Sequence, residues 1–305
     1  MKRRNFIQQA TAGTALVTLG GLGLQSFTSS LKTSKITILH TNDVHSHIDT
    51  FGPEDGRNAN KGGVARRASL IESIRKENPN TLLLDAGDIF QGTPYFNYYG
   101  GELEFKLMSK LKYDAATIGN HDFDNGIEGL YTQLPHAQFD FISANYDFSN
   151  TIMDTHVKPY KVFKKGGIKI GVFGLGIELN GLVDPSMFKE TKYLDPIEIS
   201  QDMTRILKEE EQCDLIICLS HLGYNYRNSE TKISDLKLAA ATKNIDLIIG
   251  GHTHTFLKKP TIVKNVENKN VLVNQVGCYG INLGKIDFYL DSNKNKAADG
   301  TSIIV

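Results

Sequence analysis

Five short segments, far apart in the chain, each join an apolar run to side chains able to ligate metal ions. They are Asp43-Val44-His45, Gly87-Asp88, Gly119-Asn120-His121-Asp122, Ser220-His221 and Gly251-His252-Thr253-His254. Divalent cations need oxygen and imidazole donors gathered from several chain positions, which one isolated histidine pair would not supply. Five of the nine histidines lie in these segments, so the clustering is of the kind a metal centre requires. Carboxylates, an amide and imidazoles in this combination imply a two-metal centre, and with it the hydrolysis of phosphate esters.

Each segment suggests a task. Asp43 and His45 are two positions apart, a spacing that in extended backbone points both side chains to one side, where they can bind one ion together. Asp88 follows Leu82-Leu83-Leu84 and is read as the bridging carboxylate, because an acid shared by two cations reduces their mutual repulsion. Asp85 is expected to orient a neighbouring ligand. Asn120 offers a neutral oxygen ligand beside His121, the residue expected to act on substrate, and His221, His252 and His254 complete the donors. His47 is expected behind the ligands or at the surface, and His40, His136 and His156 in ordinary packing or surface positions. Two divalent cations outweigh the two carboxylates, so the centre stays positive, attracts a phosphate and acidifies a water so that hydroxide is available as nucleophile.

Every donor follows an apolar run, as in open α/β sheets, whose sites lie beyond the strand ends. Strands are expected over residues 36–39, 81–84, 115–118, 139–143, 168–175, 215–219, 247–249 and 271–276, several of them continuous enough to be buried on both faces. Between them, residues 63–76 carry Val64, Ala68, Ile71 and Ile74 on one stripe against Arg66, Arg67, Glu72 and Arg75, which predicts a helix packed on a sheet. Residues 102–111, 196–211 and 237–243 are further helices, giving an alternating α/β order. Residues 285–290 and 301–305 predict a hairpin around a polar turn at 291–300. The insert 50–63, rich in Gly and Asn, reads as an exposed loop that either frames a substrate entrance or is simply solvated. The aromatic run Pro94-Tyr95-Phe96-Asn97-Tyr98-Tyr99 could contact a base or sugar, but partly buried packing is the favoured reading.

The chain has 305 residues, with 34 Lys plus Arg against 34 Asp plus Glu, so there is no global basic field and no nucleic-acid partner is expected. Cys213, Cys218 and Cys278 sit within apolar runs and read as buried small hydrophobes, neither disulfide-bonded nor metal-binding. Residues 1–34 read as an export signal and linker: Arg3-Arg4 precedes Phe6, then comes an uncharged Gly/Ala-rich stretch. That pattern is of the twin-arginine type, which exports folded, metal-loaded protein to a periplasmic or extracytoplasmic space. A generic secretory signal is the alternative, and either leaves open a membrane tether through an uncleaved signal. Residues 35–305 are taken as one phosphoesterase domain.

These motifs resemble the calcineurin-like metallophosphoesterase superfamily, and within it the bacterial periplasmic 5′-nucleotidases, through His40-Thr41-Asn42-Asp43-Val44-His45, Gly87-Asp88, Gly119-Asn120-His121-Asp122-Phe123-Asp124 and Gly251-His252-Thr253-His254. The resemblance implies a four-layer α-β-β-α sandwich of two mixed sheets flanked by helices. It implies one metal at Asp43, His45, Asp88 and His254, and another at Asp88, Asn120, His221 and His252. The ions are Mn, Zn, Fe or Co, between which this donor set does not choose. It also implies a catalytic pair, His121 with Asp124, although Asp122 stands where family members more often carry Glu. The expected substrate is a small phosphate ester, foremost a 5′-nucleotide. Alternatives are a phosphodiesterase acting on 2′,3′-cyclic nucleotides or nucleotide sugars, a thiosulfohydrolase of sulfur oxidation, and a metal-binding subunit needing a separate substrate-binding chain. Family 5′-nucleotidases carry a C-terminal domain that grips the nucleoside; the sequence ends where that domain would begin, so a separate chain bearing it is an expected partner.

Overall fold

Apolar runs without polar alternation, such as Leu82–Leu84, Leu215–Leu219 and Leu247–Ile249, form strands whose side chains are buried on both faces. The computed structural model describes residues 33–305. The export segment expected at residues 1–34 therefore lies, but for its last two residues, outside the described region. Along the chain the strands are β1 (Ser34–Thr41), β2 (Thr81–Asp85), β3 (Ala115–Ala116), β4 (Asp140–Phe141), β5 (Tyr146–Asp147), β6 (Tyr160–Lys165), β7 (Ile168–Leu175), β8 (Lys192–Tyr193), β9 (Leu215–Ser220), β10 (Leu247–Gly250), β11 (Thr261–Lys264), β12 (Asn270–Asn274), β13 (Asn282–Leu290) and β14 (Lys296–Ile304).

Two mixed sheets result, one ordered β14-β13-β1-β2-β3-β4 and the other β11-β12-β10-β9-β7-β6. In the first, β1 to β4 run parallel and β13 returns antiparallel to β1; in the second, β7, β9, β10 and β12 run parallel. Three apolar cores define the layers. Ile36, Ile38, Leu82 and Leu84 of the first sheet meet Val172, Leu215, Ile217 and Leu247 of the second. The opposite face of the first sheet packs Leu39 and Leu83 against Ile71, Phe105 and Ile127 of the helices Val64–Glu77, Glu102–Lys110 and Gly126–Gln133. The outer face of the second sheet packs Ile216 and Ile248 against Met203 and Leu238 of the helices Pro196–Arg205 and Asp235–Ala241. The described residues thus form a mixed α/β sandwich in four layers, as the family resemblance implies. Each fully buried Leu, Ile or Phe contributes about 1.5–3 kcal/mol, so burial on both sheet faces holds the strand ends rigid.

Several local expectations differ from the structure. The C-terminal hairpin pairs from Lys296 onward, so residues 296–300 belong to β14 and the turn is only 291–295. Polar residues persist in this strand because β14 is the edge of its sheet, where one face is wet. Strand β3 pairs over two residues only, and the chain then turns toward Asn120. Arg67, expected on the polar face of its helix, is buried. Its guanidinium lies against Gly280, where any Cβ would collide with it, so the glycine's missing side chain makes the space. In the aromatic run, the helix Pro94–Tyr99 buries only Phe96, while Tyr98 is 82% exposed. The favoured packing reading holds for Phe96 and in part for Tyr95 but not for Tyr98 and Tyr99, because a short helix can turn only one face inward.

Candidate metal centre

The carboxyl ends of β1, β2, β3, β9 and β10 deliver the donors to one place. Side-chain ligand atoms of Asp43, His45 and His254 lie within 4.8 Å of one another, as do those of Asp88, His221 and His252. One oxygen links the two groups: Asp88 Oδ2 is 3.0 Å from His221 Nε2 and 3.8 Å from His45 Nε2. Asp43 Oδ1 lies 3.4 Å from His254 Nε2 and 4.0 Å from both His45 Nε2 and His221 Nε2. Asn120 joins through its Oδ1, 2.8 Å from His252 Nδ1. All seven expected donors therefore converge.

They do not converge by strand alternation. Asp43, His45, Asp88, His252 and His254 all have positive φ, between 47° and 71°, so the chain has left the extended state before it presents them. Left-handed backbone at such residues costs roughly 1–3 kcal/mol each and persists only where surrounding bonds over-determine it. Those bonds are present. Asp43 N donates to Gly87 O at 2.9 Å, His45 N to Asp88 O at 3.1 Å, Ser46 N to Ile89 O at 2.9 Å, and Tyr279 N to Asp43 O at 2.7 Å.

The chemistry of the donor set fits a cation. His45 Nδ1–H donates to Phe90 O at 3.1 Å and His221 Nδ1–H to Ala86 O at 2.7 Å, because a carbonyl can only accept. The Nε2 of each ring is thereby turned inward, as in histidines that bind metal. His221 Nε2, fully buried, is out of line for a hydrogen bond to Asp88 despite its closeness and has no hydrogen-bond partner. His45 Nε2 and His254 Nε2 face each other at 3.0 Å, a juxtaposition that requires a proton or an ion between them.

The protonation pattern agrees. Burial opposes charge on His221, yet Asp88 and then Asp43 hold its pKa up at about 10. Hydrogen bonding to Asp43 and Cys278 raises His254 to about 10. Burial penalises ionisation of Asp88, but His221, His45 and His121 outweigh it and hold this carboxyl well below the usual range. His252 is pushed down to about 4, mainly by burial, and burial likewise lowers His45. Without a metal, protons on imidazoles neutralise the acids, and a cation entering the site would displace them.

His121 stands at the mouth. Its backbone N–H donates to Asp88 Oδ1 at 2.8 Å, and its Nδ1 lies 3.0 Å from Asp124 Oδ2. The hydrogen bond that His121 donates to Asp124 raises the pKa of His121 against the opposing effect of burial.

Some supporting residues escape a reading of motifs. The buried Asp122 carboxylate accepts from Asp88 N (3.1 Å), Ile89 N (2.9 Å), Phe90 N (3.2 Å) and Gly119 N (2.8 Å), tying the loop that carries Asp88 to the one that carries Asn120. An extra acid inside the third motif was its only signal. Asn42 donates to Asp43 Oδ2 and Gly277 O, both at 2.6 Å, and Gln275 fixes the His252–His254 loop through Gly251 O and Thr253 Oγ1. Asp85 touches no ligand side chain; it accepts the Thr41 hydroxyl at 2.5 Å and Gly87 N at 2.9 Å, and so shapes the turn before Asp88. Replacing Asp122 by asparagine puts an NH₂ where backbone donors point. The variant is expected to lose about 3 kcal/mol of stability, and to bind metal 10–100-fold more weakly by roughly the usual effect of a ligand-supporting group. Thermal melts and chelator-competition titrations read both effects.

The other histidines are accounted for. His40 is buried and held at Nε2 by Asn274 Nδ2 (2.8 Å), with its pKa lowered to about 3 by burial; His136 faces Glu102 and His156 faces Tyr131. The three cysteines are free and buried, and Cys278 is among the groups that raise the pKa of His254.

A two-sheet α/β sandwich whose parallel strand ends collect carboxylate, amide and imidazole donors has the architecture of the metallophosphatases. Residues 36–256 match the Calcineurin-like phosphoesterase family, and the chain belongs to it. It is 34% identical over 282 residues to the snake venom 5′-nucleotidase of Crotalus adamanteus, covering 86% of this chain and 46% of that protein. It is 33% identical to a trifunctional nucleotide phosphoesterase protein of Bacillus subtilis, over 88% of this chain and 19% of the other. The solved 5′-nucleotidase precursor from Thermus thermophilus superposes with a TM-score of 0.78 at 34% identity, covering 89% of this chain and 55% of that one. The chain thus spans about half or less of the length of these relatives.

Proposed function

We propose that the chain is an exported, dinuclear-metal phosphoesterase that hydrolyses 5′-nucleotides or related phosphate monoesters. The observation that carries this is the pair of donor groups sharing Asp88 Oδ2, with the His121–Asp124 pair at their rim. The named relatives, two of them 5′-nucleotidases, supply the substrate class. One ion would be held by Asp43, His45, Asp88 and His254, the other by Asp88, Asn120, His221 and His252. When bound, the two cations supply positive charge for a phosphoryl group and the acidity that turns water into a nucleophile.

The chain's own residues do the remaining work. Asp124 favours the protonated form of His121 and fixes its ring through Nδ1, leaving Nε2–H to bond a phosphoryl oxygen or to pass its proton to the leaving oxygen. Backbone bonds from His252 N to Asp43 Oδ1 (2.9 Å) and Oδ2 (3.1 Å) hold that carboxylate in place before substrate arrives. Export rests on the Arg3-Arg4 pattern; among the described residues no helix is long and apolar enough to cross a membrane.

The test is phosphate release by protein stripped with a chelator and reloaded singly with Mn, Zn, Fe or Co. Nucleoside 5′-monophosphates should be cleaved by at least one metal form, and the stripped protein should be inactive. Faster cleavage of cyclic diesters would favour the diesterase reading. Failure on every ester with every metal would leave a metal-binding subunit that depends on another chain.

A further inference from the structure

Next to one histidine of each donor group stands a buried serine bonded to a helix acid. Ser46 follows His45, and its hydroxyl donates to Glu104 Oε1. Ser220 precedes His221, and its hydroxyl donates to Asp235 Oδ1 at 2.5 Å. None of these four residues is more than 5% exposed. The second oxygen of each acid, Glu104 Oε2 and Asp235 Oδ2, has no hydrogen-bond partner among the described residues. A buried carboxyl with one oxygen unmet costs stability that an apolar side chain of similar size would not, so packing alone accounts for neither acid.

The two acids come from opposite outer layers. Glu104 belongs to the helix Glu102–Lys110, which packs on the first sheet through Phe105, and Asp235 opens the helix Asp235–Ala241, which packs on the second through Leu238. At Ser46 the backbone has a φ of 57°, and the turn is held by Ser46 N donating to Ile89 O at 2.9 Å and by Thr93 Oγ1 donating to Ser46 O at 3.0 Å. Asp235 spans two strand ends. It bonds Ser220 at the end of β9, and a Cβ on Gly250, at the end of β10, would collide with its Oδ2. This one carboxyl therefore sets the separation of the strand ends that release His221 and His252.

We infer that Glu104 and Asp235 are positioning residues, each acting through its serine on a different metal: Glu104 on the ion at Asp43, His45 and His254, Asp235 on the ion at Asn120, His221 and His252. This rests on the two-ion reading above and adds that the halves of the centre are supported separately, one from each outer layer. The Nδ1 bonds of His45 to Phe90 O and of His221 to Ala86 O fix the rings, but the reach of each ring also depends on where its backbone stands, and the serine beside it is what the acid holds.

The test is manganese binding by metal-stripped protein, read by titration and by anomalous diffraction at limiting manganese. Glu104→Ala is expected to weaken the ion at His45, and Asp235→Ala the ion at His221, each by about 10–100-fold while the other ion stays in place. Glu104→Gln and Asp235→Asn keep an oxygen that can accept from the serine, and should bind both ions as the wild type does. Where an alanine variant does not fold, Ser46→Ala and Ser220→Ala cut the same bonds at the hydroxyl, and the same pattern decides. A purely structural role would lower the melting temperature with both ions weakened alike or both kept; either result overturns the inference, as does weakening of the other ion. Site-selective weakening in a protein inactive on every ester supports the inference and sinks the hydrolase, whereas unselective weakening in an active protein overturns it and leaves the hydrolase standing.

Discussion

Asp88→Asn is expected to give a folded protein that releases phosphate more slowly by over about a hundredfold and retains less than its full complement of metal. The lower bound follows from the 10–100-fold effect of groups that merely support metal ligands, which a shared ligand must exceed. One oxygen of Asp88 faces both donor groups, 3.0 Å from His221 Nε2 and 3.8 Å from His45 Nε2. Asparagine keeps the shape and can still accept from His121 N through Oδ1. It loses the charge that offsets two cations, and its NH₂ is a donor where a lone pair is needed. The same carboxylate holds His221 protonated when no metal is bound, so the variant should also release fewer protons on metal binding. Elemental analysis after dialysis, phosphate release and proton release read three consequences of one substitution. Full metal content at the wild-type rate would remove Asp88 from the centre.

His121→Ala should separate chemistry from metal binding. Its imidazole belongs to neither donor group, and its side chain is 38% exposed at the rim. Metal content should therefore stay at the wild-type level while kcat falls by about 10²–10⁴, the usual contribution of a positioned acid. Asp124→Asn should act in the same direction but more weakly, because it alters the imidazole without removing it. The sign of the pH effect follows from the raised pKa of His121. The protonated form is the working one and is lost as pH rises through that pKa; without Asp124 the pKa falls, so the alkaline limb of kcat moves to lower pH. Equal turnover in His121→Ala would take the role from this residue, and loss of metal would make it a ligand.

The fold and the donors were legible for one physical reason. Strands buried on both faces must be continuously apolar, so a polar residue directly after such a run marks a strand end, and the donors sit there. Asp43, Asp88 and His252 announce themselves in this way. The route by which they converge was not legible, because Asp43 and His45 are turned by left-handed backbone that no spacing rule describes. Supporting groups were hidden for a related reason. Asp122 acts through four backbone N–H groups of loops distant in sequence, and Asn42 through Gly277, contacts that exist only after the chain folds. Arg67 was misplaced because helical periodicity assigns it to a polar face, whereas its long side chain reaches inward to the space at Gly280. The two-residue strand β3 was overestimated because Thr117 and Ile118 share the apolar run without pairing.

Anomalous diffraction from crystals of the manganese-loaded protein tests the central claim most directly. Two peaks are expected, one among Asp43, His45 and His254 and one among Asn120, His221 and His252, with Asp88 touching both. A single peak, or peaks at sites that do not share Asp88, would contradict it.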